Sequence, residues 1–382
     1  RGGAVLRCRG RGTRHHVRPH LSGLWQARPD AAKGRRMTTS AKIELRGLTK
    51  VFGPEPEMAL KLAREGLTKQ EILDSIGHVV ALRDIDLDIE GGQIHIVMGL
   101  SGSGKSTLIR LINRLIEPTS GSIHLEGMDI VKLSRDPLME LRRRHIAMVF
   151  QRFALFPHRN VRDNVAYGLE VQGVNKEPRR ARADEWIERV GLAGYADRAP
   201  GELSGGMQQR VGLARALCAG AEILLMDEPF GALDPLIRAE MQDVLLKLQA
   251  DLKKTILFIT HDLGEALRLG HRVAILRDGL LVQNSEPEDI VLDPADAYIA
   301  EFVRDINRGR VLTARALVGA KSQAPLLAVA GPTIPAAMAL EDAAALLVRA
   351  DAAEGIVILP GDQVLGRLTL AEIVTAMKRP EK

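Results

Sequence analysis

The glycine-rich run at residues 99–106 constrains the fold of this chain more than any other feature. Its sequence, Gly99-Leu-Ser-Gly-Ser-Gly104-Lys105-Ser106, matches the phosphate-binding loop pattern in full. A strand-like run, residues 94–98, precedes it, and an apolar helix-like run, residues 107–115, follows it, as the pattern requires. Backbone N–H groups of such a loop surround phosphates, and the helix N-terminus adds a favourable partial charge. The sequence therefore predicts a P-loop NTPase fold.

The polar residues of this loop have separate expected roles. Lys105 would reach the β- and γ-phosphates of ATP, and Ser106 would hold Mg²⁺. We expect ATP to contact the loop residues Gly99, Ser101, Gly102, Ser103, Gly104, Lys105, Ser106 and Thr107.

A second polar site follows the buried-strand pattern Ile223-Leu-Leu-Met-Asp227-Glu228. Asp227 would help to hold Mg²⁺, and Glu228 would orient and deprotonate the attacking water. Many strands end in acidic residues, so the pattern alone is weak. The phosphate loop upstream makes it specific, and together the two motifs predict nucleotide hydrolysis.

Strand-like and helix-like runs alternate along most of the chain, which predicts an α/β core with a mostly parallel sheet. The strand-like runs are residues 43–52, 81–98, 223–228, 255–260 and 272–276. Residues 54–80 form a polar, helix-prone insertion with Gly77 near its end. Residues 136–200 are mostly helical in pattern, with expected breaks at Pro157 and Pro178.

Composition excludes several classes of protein. No run of about 18 apolar residues occurs, so separate subunits would have to supply any membrane-spanning part. Aromatic residues make up only 3% of the chain, which argues against base stacking, and no nucleic-acid partner is expected. The two cysteines, Cys8 and Cys218, show no metal or disulfide pattern and fit a reducing cytoplasm.

The positive charge of the chain is concentrated near its start. Residues 1–36 carry nine Arg and one Lys against Asp30 alone, so the remainder is acidic although the whole chain is +5. Such an arm could bind nucleic acid or anionic lipid, but we expect residues 1–40 to form a basic, disordered extension with neither role. Met37 begins a sequence typical of a natural start, so residues 1–36 should be dispensable.

The run Leu203-Ser204-Gly205-Gly206-Met207-Gln208-Gln209-Arg210 resembles the signature motif of ABC ATPases. Ser204 is a suitable N-cap, and an apolar helix follows, so the run predicts a second anion-binding helix end. The resemblance implies that this end binds the γ-phosphate held by the P-loop of a second copy of the subunit. The nucleotide ligands that it implies are Ser204, Gly205, Gly206 and Gln208.

Four further residues resemble the rest of the ABC motif set. Gln151 resembles the Q-loop glutamine, which contacts Mg²⁺ and the attacking water and senses the membrane subunit. Asp234, in Gly231-Ala-Leu-Asp234, resembles the D-loop aspartate, and His261 resembles the switch histidine that contacts the γ-phosphate. Phe52 lies where the family stacks an aromatic ring on adenine, although burial in the core is an equal alternative.

The resemblance therefore implies catalytic, nucleotide and metal roles for a defined set of residues. The catalytic residues would be Glu228, His261 and Gln151. Phe52 and Asp234 would join the nucleotide ligands already named. The Mg²⁺ ligands would be Ser106, Gln151 and Asp227.

Three stretches resemble the quaternary amine importers of the ProV type, which carry glycine betaine, proline betaine or choline. They are residues 65–73, 110–118 and 232–242, and the resemblance covers residues 41–310. It implies an ATP-hydrolysing peripheral subunit on the cytoplasmic face of the bacterial inner membrane. Its partners would be permease subunits and a periplasmic or extracellular solute-binding protein.

Two alternatives to this function remain open. The solute could be another small molecule, such as a polyamine or an amino acid, since solute contacts lie in the partner subunits. Less favoured is a non-transport ABC ATPase of DNA repair, chromosome handling or translation. Such proteins usually carry a long coiled coil or two ATPase domains, and neither pattern occurs here.

After about residue 310 the composition shifts to Ala, Leu and Val, which predicts a second, smaller α/β domain. Residues 355–359 and 364–370 predict a hairpin, and residues 371–378 a helix. The hairpin resembles a CBS domain, so residues 311–382 are assigned as a CBS-like regulatory domain; a simple dimerisation or packing unit is the alternative. Residues 41–310 would be the ABC ATPase domain, with a helical subdomain at about 136–220.

The loop at residues 150–157 carries three of the seven Phe residues of the chain. Exposed apolar loops are costly unless something covers them. The resemblance implies that a permease helix contacts Gln151, Phe153, Leu155, Phe156 and Pro157. The alternative is that these apolar side chains pack inside the helical subdomain.

Overall fold

The structure is a computed structural model that describes residues 41–151, 154–319 and 331–378. The predictions for residues 1–40 therefore lie outside the described residues. The strands are β1 Ala41–Phe52, β2 Val79–Glu90, β3 Ile94–Met98, β4 Ser120–Leu125, β5 Met128–Asp129, β6 Ile146–Val149, β7 Ile223–Asp227, β8 Thr255–Thr260, β9 Arg272–Arg277, β10 Leu280–Ser285, β11 Thr333–Pro335, β12 Glu354–Ile358 and β13 Val364–Thr369.

The helices of the described residues alternate with these strands. They are α1 Pro56–Arg64, α2 Lys69–Ile76, α3 Lys105–Ile112, α4 Arg135–Arg144, α5 Val161–Val165, α6 Tyr167–Val171, α7 Lys176–Arg189, α8 Gly205–Cys218, α9 Pro235–Leu252, α10 Leu263–Leu269, α11 Pro287–Leu292, α12 Ala297–Val303, α13 Arg308–Val311, α14 Ala314–Gly319, α15 Leu340–Arg349 and α16 Leu370–Met377. Within the part of the chain that the structure describes, none of them is long and apolar enough to span a membrane.

A six-stranded sheet in the order β10-β9-β3-β8-β7-β6 forms the centre of the fold. All its strand pairs are parallel except the edge pair β9–β10. Every residue of β3, β7 and β8 is buried, as expected for strands covered on both faces. Because these strands run parallel, the segments that follow them meet at one edge of the sheet. The predicted α/β fold is confirmed.

A smaller antiparallel sheet has the strand order β2-β1-β4-β5. The insertion between β1 and β2 forms α1 and α2, and Gly77 ends α2 with φ of 69°. The helix-prone insertion predicted at residues 54–80 is therefore confirmed. Its small core joins α1 and α2 to the two strands through Val51, Ala59, Leu60, Ile72 and Val80.

The predicted helical stretch at residues 136–200 is correct for α4 to α7 but wrong in two details. The short strand β6 lies within it and pairs with β7, because four apolar residues give too little periodicity to separate strand from helix. Pro178 does not break a helix, because it lies in the first turn of α7, where a missing N–H costs no helical hydrogen bond. Pro157 lies in the loop before α5.

The C-terminal residues form a three-stranded sheet in the order β11-β12-β13 with α15 and α16. The antiparallel pairing of β12 with β13 confirms the predicted hairpin, and α16 confirms the helix after it. The parallel strand β11 was not predicted. Buried residues of this segment, such as Ile334 and Leu347, belong to the same hydrophobic cluster as the central sheet. The CBS resemblance and the boundary near residue 310 stay predictions.

Candidate functional site

The phosphate loop connects the buried strand β3 to helix α3, as the sequence predicts. Gly104 precedes α3 with φ of 107°, and a Cβ there would lie 2.6 Å from the carbonyl oxygen of Ala81. Gly99 has φ of 153°, and a Cβ there would lie 2.2 Å from the carbonyl oxygen of Leu276. Both positions therefore require glycine, because a side chain would push the loop off the neighbouring strands.

Lys105 lies inside this loop and is almost fully buried. Its Nζ donates to the carbonyl oxygens of Gly99, at 2.8 Å, and Leu100, at 3.0 Å. It also lies 4.0 Å from Oε1 of Glu228. Burial lowers the pKa of Lys105, while the carboxylates of Glu228 and Asp227 act in the opposite direction. The loop thus concentrates a partly desolvated positive charge at the edge of the sheet.

Two serines of the loop present oxygen atoms suited to a magnesium nucleotide. The hydroxyl of Ser103 is buried and has no hydrogen-bond partner in the described part of the chain. The hydroxyl of Ser106 lies 3.0 Å from Oδ1 of Asp227, a carboxyl whose pKa is raised chiefly by burial. Mg²⁺ prefers one or two carboxylates, together with phosphate and water oxygens. The donor set therefore fits Mg²⁺, and the unpaired Ser103 hydroxyl fits a phosphate oxygen.

Glu228 lies at the centre of the predicted catalytic residues. Its Oε2 is 3.2 Å from Nδ1 of His261 and 3.5 Å from Nε2 of Gln151. Its backbone N–H donates to the carbonyl oxygen of Ile259 on β8, and its φ of 46° turns the chain away from β7. The structure thus brings together Lys105, Gln151, Glu228 and His261, which we call the Glu228 cluster.

The signature residues lie at the start of α8, outside the hydrogen bonds of the Glu228 cluster. Ser204 caps this helix, its Oγ accepting from the N–H of Met207 at 3.3 Å. Gly205 is exposed, and a Cβ at Gly206 would lie 2.5 Å from the side chain of Ile237 on α9. The Gln208 side chain instead donates to two carbonyl oxygens of the preceding turn, each at 3.1 Å. The predicted helix end is therefore present, with Gln208 bracing it.

Asp234 caps α9 in the same manner. Its Oδ1 accepts from the N–H groups of Leu236 and Ile237, both at 3.1 Å. Arg238, four residues after Asp234, lies 3.2 Å from Oδ2 of Asp262, the residue that follows the predicted switch histidine His261. It also donates to the carbonyl oxygen of Leu233. Sequence reasoning missed Arg238, because nothing in its local pattern marks a contact with residue 262.

Phe52 is the last residue of β1 and is 43% exposed. The ammonium group of Lys50 lies 5.0 Å from its ring centroid. Burial in the core, the alternative to a role in adenine stacking, is therefore wrong for Phe52. Stacking on adenine stays a prediction, and the exposed ring of Phe52 is compatible with it.

The loop at residues 150–157 is only partly open. Phe153 lies outside the described residues. The Phe156 ring centroid is 4.5 Å from that of Tyr167, its backbone pairs with the side chain of Asn164, and Leu155 packs against the hydrophobic core. For Leu155 and Phe156 these contacts favour internal packing over an exposed docking surface. Phe150, 40% exposed, and Pro157 remain accessible.

One cation of the site was also missed at the sequence level. Lys69, at the start of α2, lies 3.2 Å from the carbonyl oxygen of Gly102 in the phosphate loop. The sequence predicts the helix that carries Lys69. It does not predict that this helix packs against the phosphate loop, because no local pattern marks that contact.

Comparison with known proteins places these features in a family context. Residues 82–231 match the family model described as "ABC transporter". The chain is 53% identical over 274 residues to the glycine betaine/carnitine transport ATP-binding protein GbuA of Listeria monocytogenes, covering 72% of this chain and 69% of that protein. It is 46% identical over 340 residues to the glycine betaine/proline betaine transport system ATP-binding protein ProV of Escherichia coli, covering 89% and 84%.

Three further similarities concern a relative for another solute and two solved structures. The chain is 46% identical over 333 residues to the trimethylamine N-oxide transport system ATP-binding protein TmoW of Ruegeria pomeroyi, covering 87% of this chain and 96% of that protein. A dimeric bacterial ABC transporter cassette superposes with a TM-score of 0.54 at 33% identity, covering 64% of this chain and 98% of that one. A related dimeric cassette bound to ADP and phosphate is 32% identical, covers the same shares and has the same TM-score.

Proposed function

The chain belongs to the family of ABC transporter ATP-binding subunits, and we propose that it powers the import of a quaternary amine such as glycine betaine. The observation that carries the ATPase part is the Glu228 cluster, in which one carboxylate contacts Gln151 and His261 and faces Lys105. The relatives named above support the choice of solute. Because one of them serves trimethylamine N-oxide, this compact methylated amine is the second candidate.

The geometry supports a separate role for each of these residues in ATP hydrolysis. Lys105 and the N–H groups of the phosphate loop neutralise the β- and γ-phosphates, and Ser103 adds a hydroxyl donor. Glu228 accepts the proton of the attacking water, held in place by His261 and Gln151. Ser106, Asp227 and Gln151 would hold Mg²⁺, which supplies charge neutralisation of the phosphate oxygens when bound.

The signature residues complete the site in trans. Ser204 and Gly205 lie on α8, separate from the Glu228 cluster, and the start of α8 presents backbone N–H groups with a favourable dipole. A second copy of the chain would place this end on the γ-phosphate, so that ATP joins the two copies. The dimeric assembly of a similar cassette supports this arrangement.

The remaining partners follow from the transport role. Permease subunits form the path through the membrane, and a periplasmic or extracellular protein delivers the solute. The subunit acts at the cytoplasmic face, where ATP is available. The relatives above are all ATP-binding proteins of transport systems, which counts against a non-transport ABC ATPase.

Solute uptake in reconstituted vesicles tests this function. Vesicles carry the chain with its permease and solute-binding protein, and ATP is supplied on the side of the ATPase. We expect ATP-dependent uptake of labelled glycine betaine, with trimethylamine N-oxide, choline and the polyamine spermidine compared in parallel. Uptake of spermidine with no uptake of any methylated amine would reject the proposed solute class, and uptake without ATP would reject the ATPase role.

A further inference from the structure

The insertion between β1 and β2 contacts the phosphate loop through the side chain of Lys69. Lys69 is the first residue of α2, and its Nζ lies 3.2 Å from the carbonyl oxygen of Gly102 and 3.4 Å from that of Ala81. The side chain is half-buried, and burial lowers the pKa of Lys69, with the carboxylate of Asp278 acting in the opposite direction. A cation placed against two carbonyl oxygens stabilises their orientation, since hydrogen bonds to charged groups are the stronger class.

The contacted carbonyl belongs to the peptide group between Gly102 and Ser103, whose N–H donates to the carbonyl oxygen of Leu100 within the loop at 3.2 Å. The peptide unit is planar, so fixing the carbonyl of Gly102 also fixes the N–H of Ser103 in the same plane. The next carbonyl, that of Ser103, accepts from the N–H of Gly279 at 3.0 Å. The loop is therefore held at two successive residues, Gly102 by α2 and Ser103 by the turn between β9 and β10.

The element that carries Lys69 is firmly attached to the rest of the fold. Thr68 and Glu71 form a reciprocal capping box at the start of α2. His78 contacts both ends of the insertion: one ring nitrogen accepts from the N–H of Glu55 at 2.9 Å, and the other lies 2.6 Å from the carbonyl oxygen of Ile76. Arg83 on β2 donates to the carbonyl oxygen of Ala63 in α1 at 2.7 Å. The position of Lys69 is thus set by a packed unit.

We propose that Lys69 is a positioning residue for nucleotide binding, which holds the phosphate loop in its binding conformation by clamping the carbonyl of Gly102. The inference rests on the proposed role of this loop in binding ATP. Pre-organising a loop lowers the cost of ordering it when the ligand arrives. Once ATP fills the loop, the phosphates themselves hold the N–H groups, so Lys69 should act on binding more than on turnover.

The test replaces Lys69 in the full chain and measures ATP binding and hydrolysis separately. Lys69→Met keeps the apolar stem and removes the charge, and Lys69→Arg keeps a charged donor. The control is Lys61→Ala on α1 of the same insertion, because that side chain is 72% exposed and lies 3.9 Å from Glu65. ATP affinity is measured by calorimetric titration, and KM and kcat by phosphate release.

We expect Lys69→Met to raise the dissociation constant and KM for ATP about tenfold, the scale of one charged hydrogen bond. The kcat at saturating ATP should stay within about twofold, Lys69→Arg should recover most of the affinity, and Lys61→Ala should match the parent. Unchanged affinity in Lys69→Met would overturn the inference. Equal loss in the Met and Arg variants would also overturn it, because the charge would then not be the cause. A parent chain that neither binds nor hydrolyses ATP would instead refute the proposed function.

Discussion

Replacing Glu228 by Gln should separate ATP binding from ATP hydrolysis. In the parent, Oε2 of Glu228 lies 3.5 Å from Nε2 of Gln151 and 3.2 Å from Nδ1 of His261. Gln has the same shape as Glu, so its amide oxygen can keep both contacts. It cannot accept a proton from water. The change also removes a negative charge 4.0 Å from Lys105, in a site that must accept a polyanion. Binding of ATP should therefore be retained.

The expected loss of turnover follows from the role of a general base. A positioned base contributes about 10²- to 10⁴-fold to a rate. At about 1.36 kcal/mol for each factor of ten, this is a rise of roughly 3–5 kcal/mol in the activation barrier. Because ATP would persist between two copies of the chain, Glu228→Gln should also accumulate as a dimer when ATP is present.

Phosphate release at saturating ATP measures the turnover, and size-exclusion chromatography with and without ATP measures the dimer. The matched control is Glu301→Gln on α12, an exposed carboxylate that pairs with Arg304 away from the Glu228 cluster and the signature residues. The control should hydrolyse ATP like the parent. If Glu228→Gln retained a turnover within about threefold of the parent, Glu228 would not be the base.

Two further changes test the charge and the burial that the structure describes. Lys105→Ala should weaken ATP binding about tenfold or more, because a charged hydrogen-bond donor to the phosphates is lost. Titration with a fluorescent ATP analogue measures this affinity, and an unchanged affinity would contradict the role of Lys105. Burial, and after it the positive charge of Arg272, lowers the pKa of His95 to about 4. Between about pH 6.5 and pH 4, His95 therefore binds a proton in the unfolded chain but not in the folded chain. The free energy of unfolding, measured with denaturant, should therefore fall as the pH drops through that range. In His95→Gln this fall should be smaller. An identical dependence of the unfolding free energy on pH in the parent and the variant would show that His95 does not contribute.

The parts of the site that the sequence predicts are those with a local pattern. The phosphate loop needs glycines with positive φ between a strand and a helix, and Gly99 and Gly104 stand at such positions. Ser204 and Asp234 are caps, whose hydrogen bonds reach only two or three residues along the chain. Such features depend on short-range geometry, so a single sequence contains enough information to predict them.

The parts that the sequence does not predict depend on contacts across the fold. Lys69 and Gly102 are 33 positions apart, and Arg238 and Asp262 are 24 positions apart. Strand β6 was missed because its four residues show no distinct periodicity, and its pairing with β7 is a tertiary contact. The internal packing of Phe156 was left open for the same reason, since its partner Tyr167 lies on another element.

The insertion leaves and rejoins the sheet at adjacent residues, so the flanking strands do not fix its length. Phe52 at the end of β1 pairs directly with Val79 at the start of β2, so the two ends of residues 53–78 are neighbours. A segment with adjacent ends can be lengthened, shortened or exchanged at a small entropic cost without moving the strands that flank it. An engineer could therefore replace this segment with a short turn and keep the register of β1 and β2, but the contact of Lys69 with the phosphate loop would be lost.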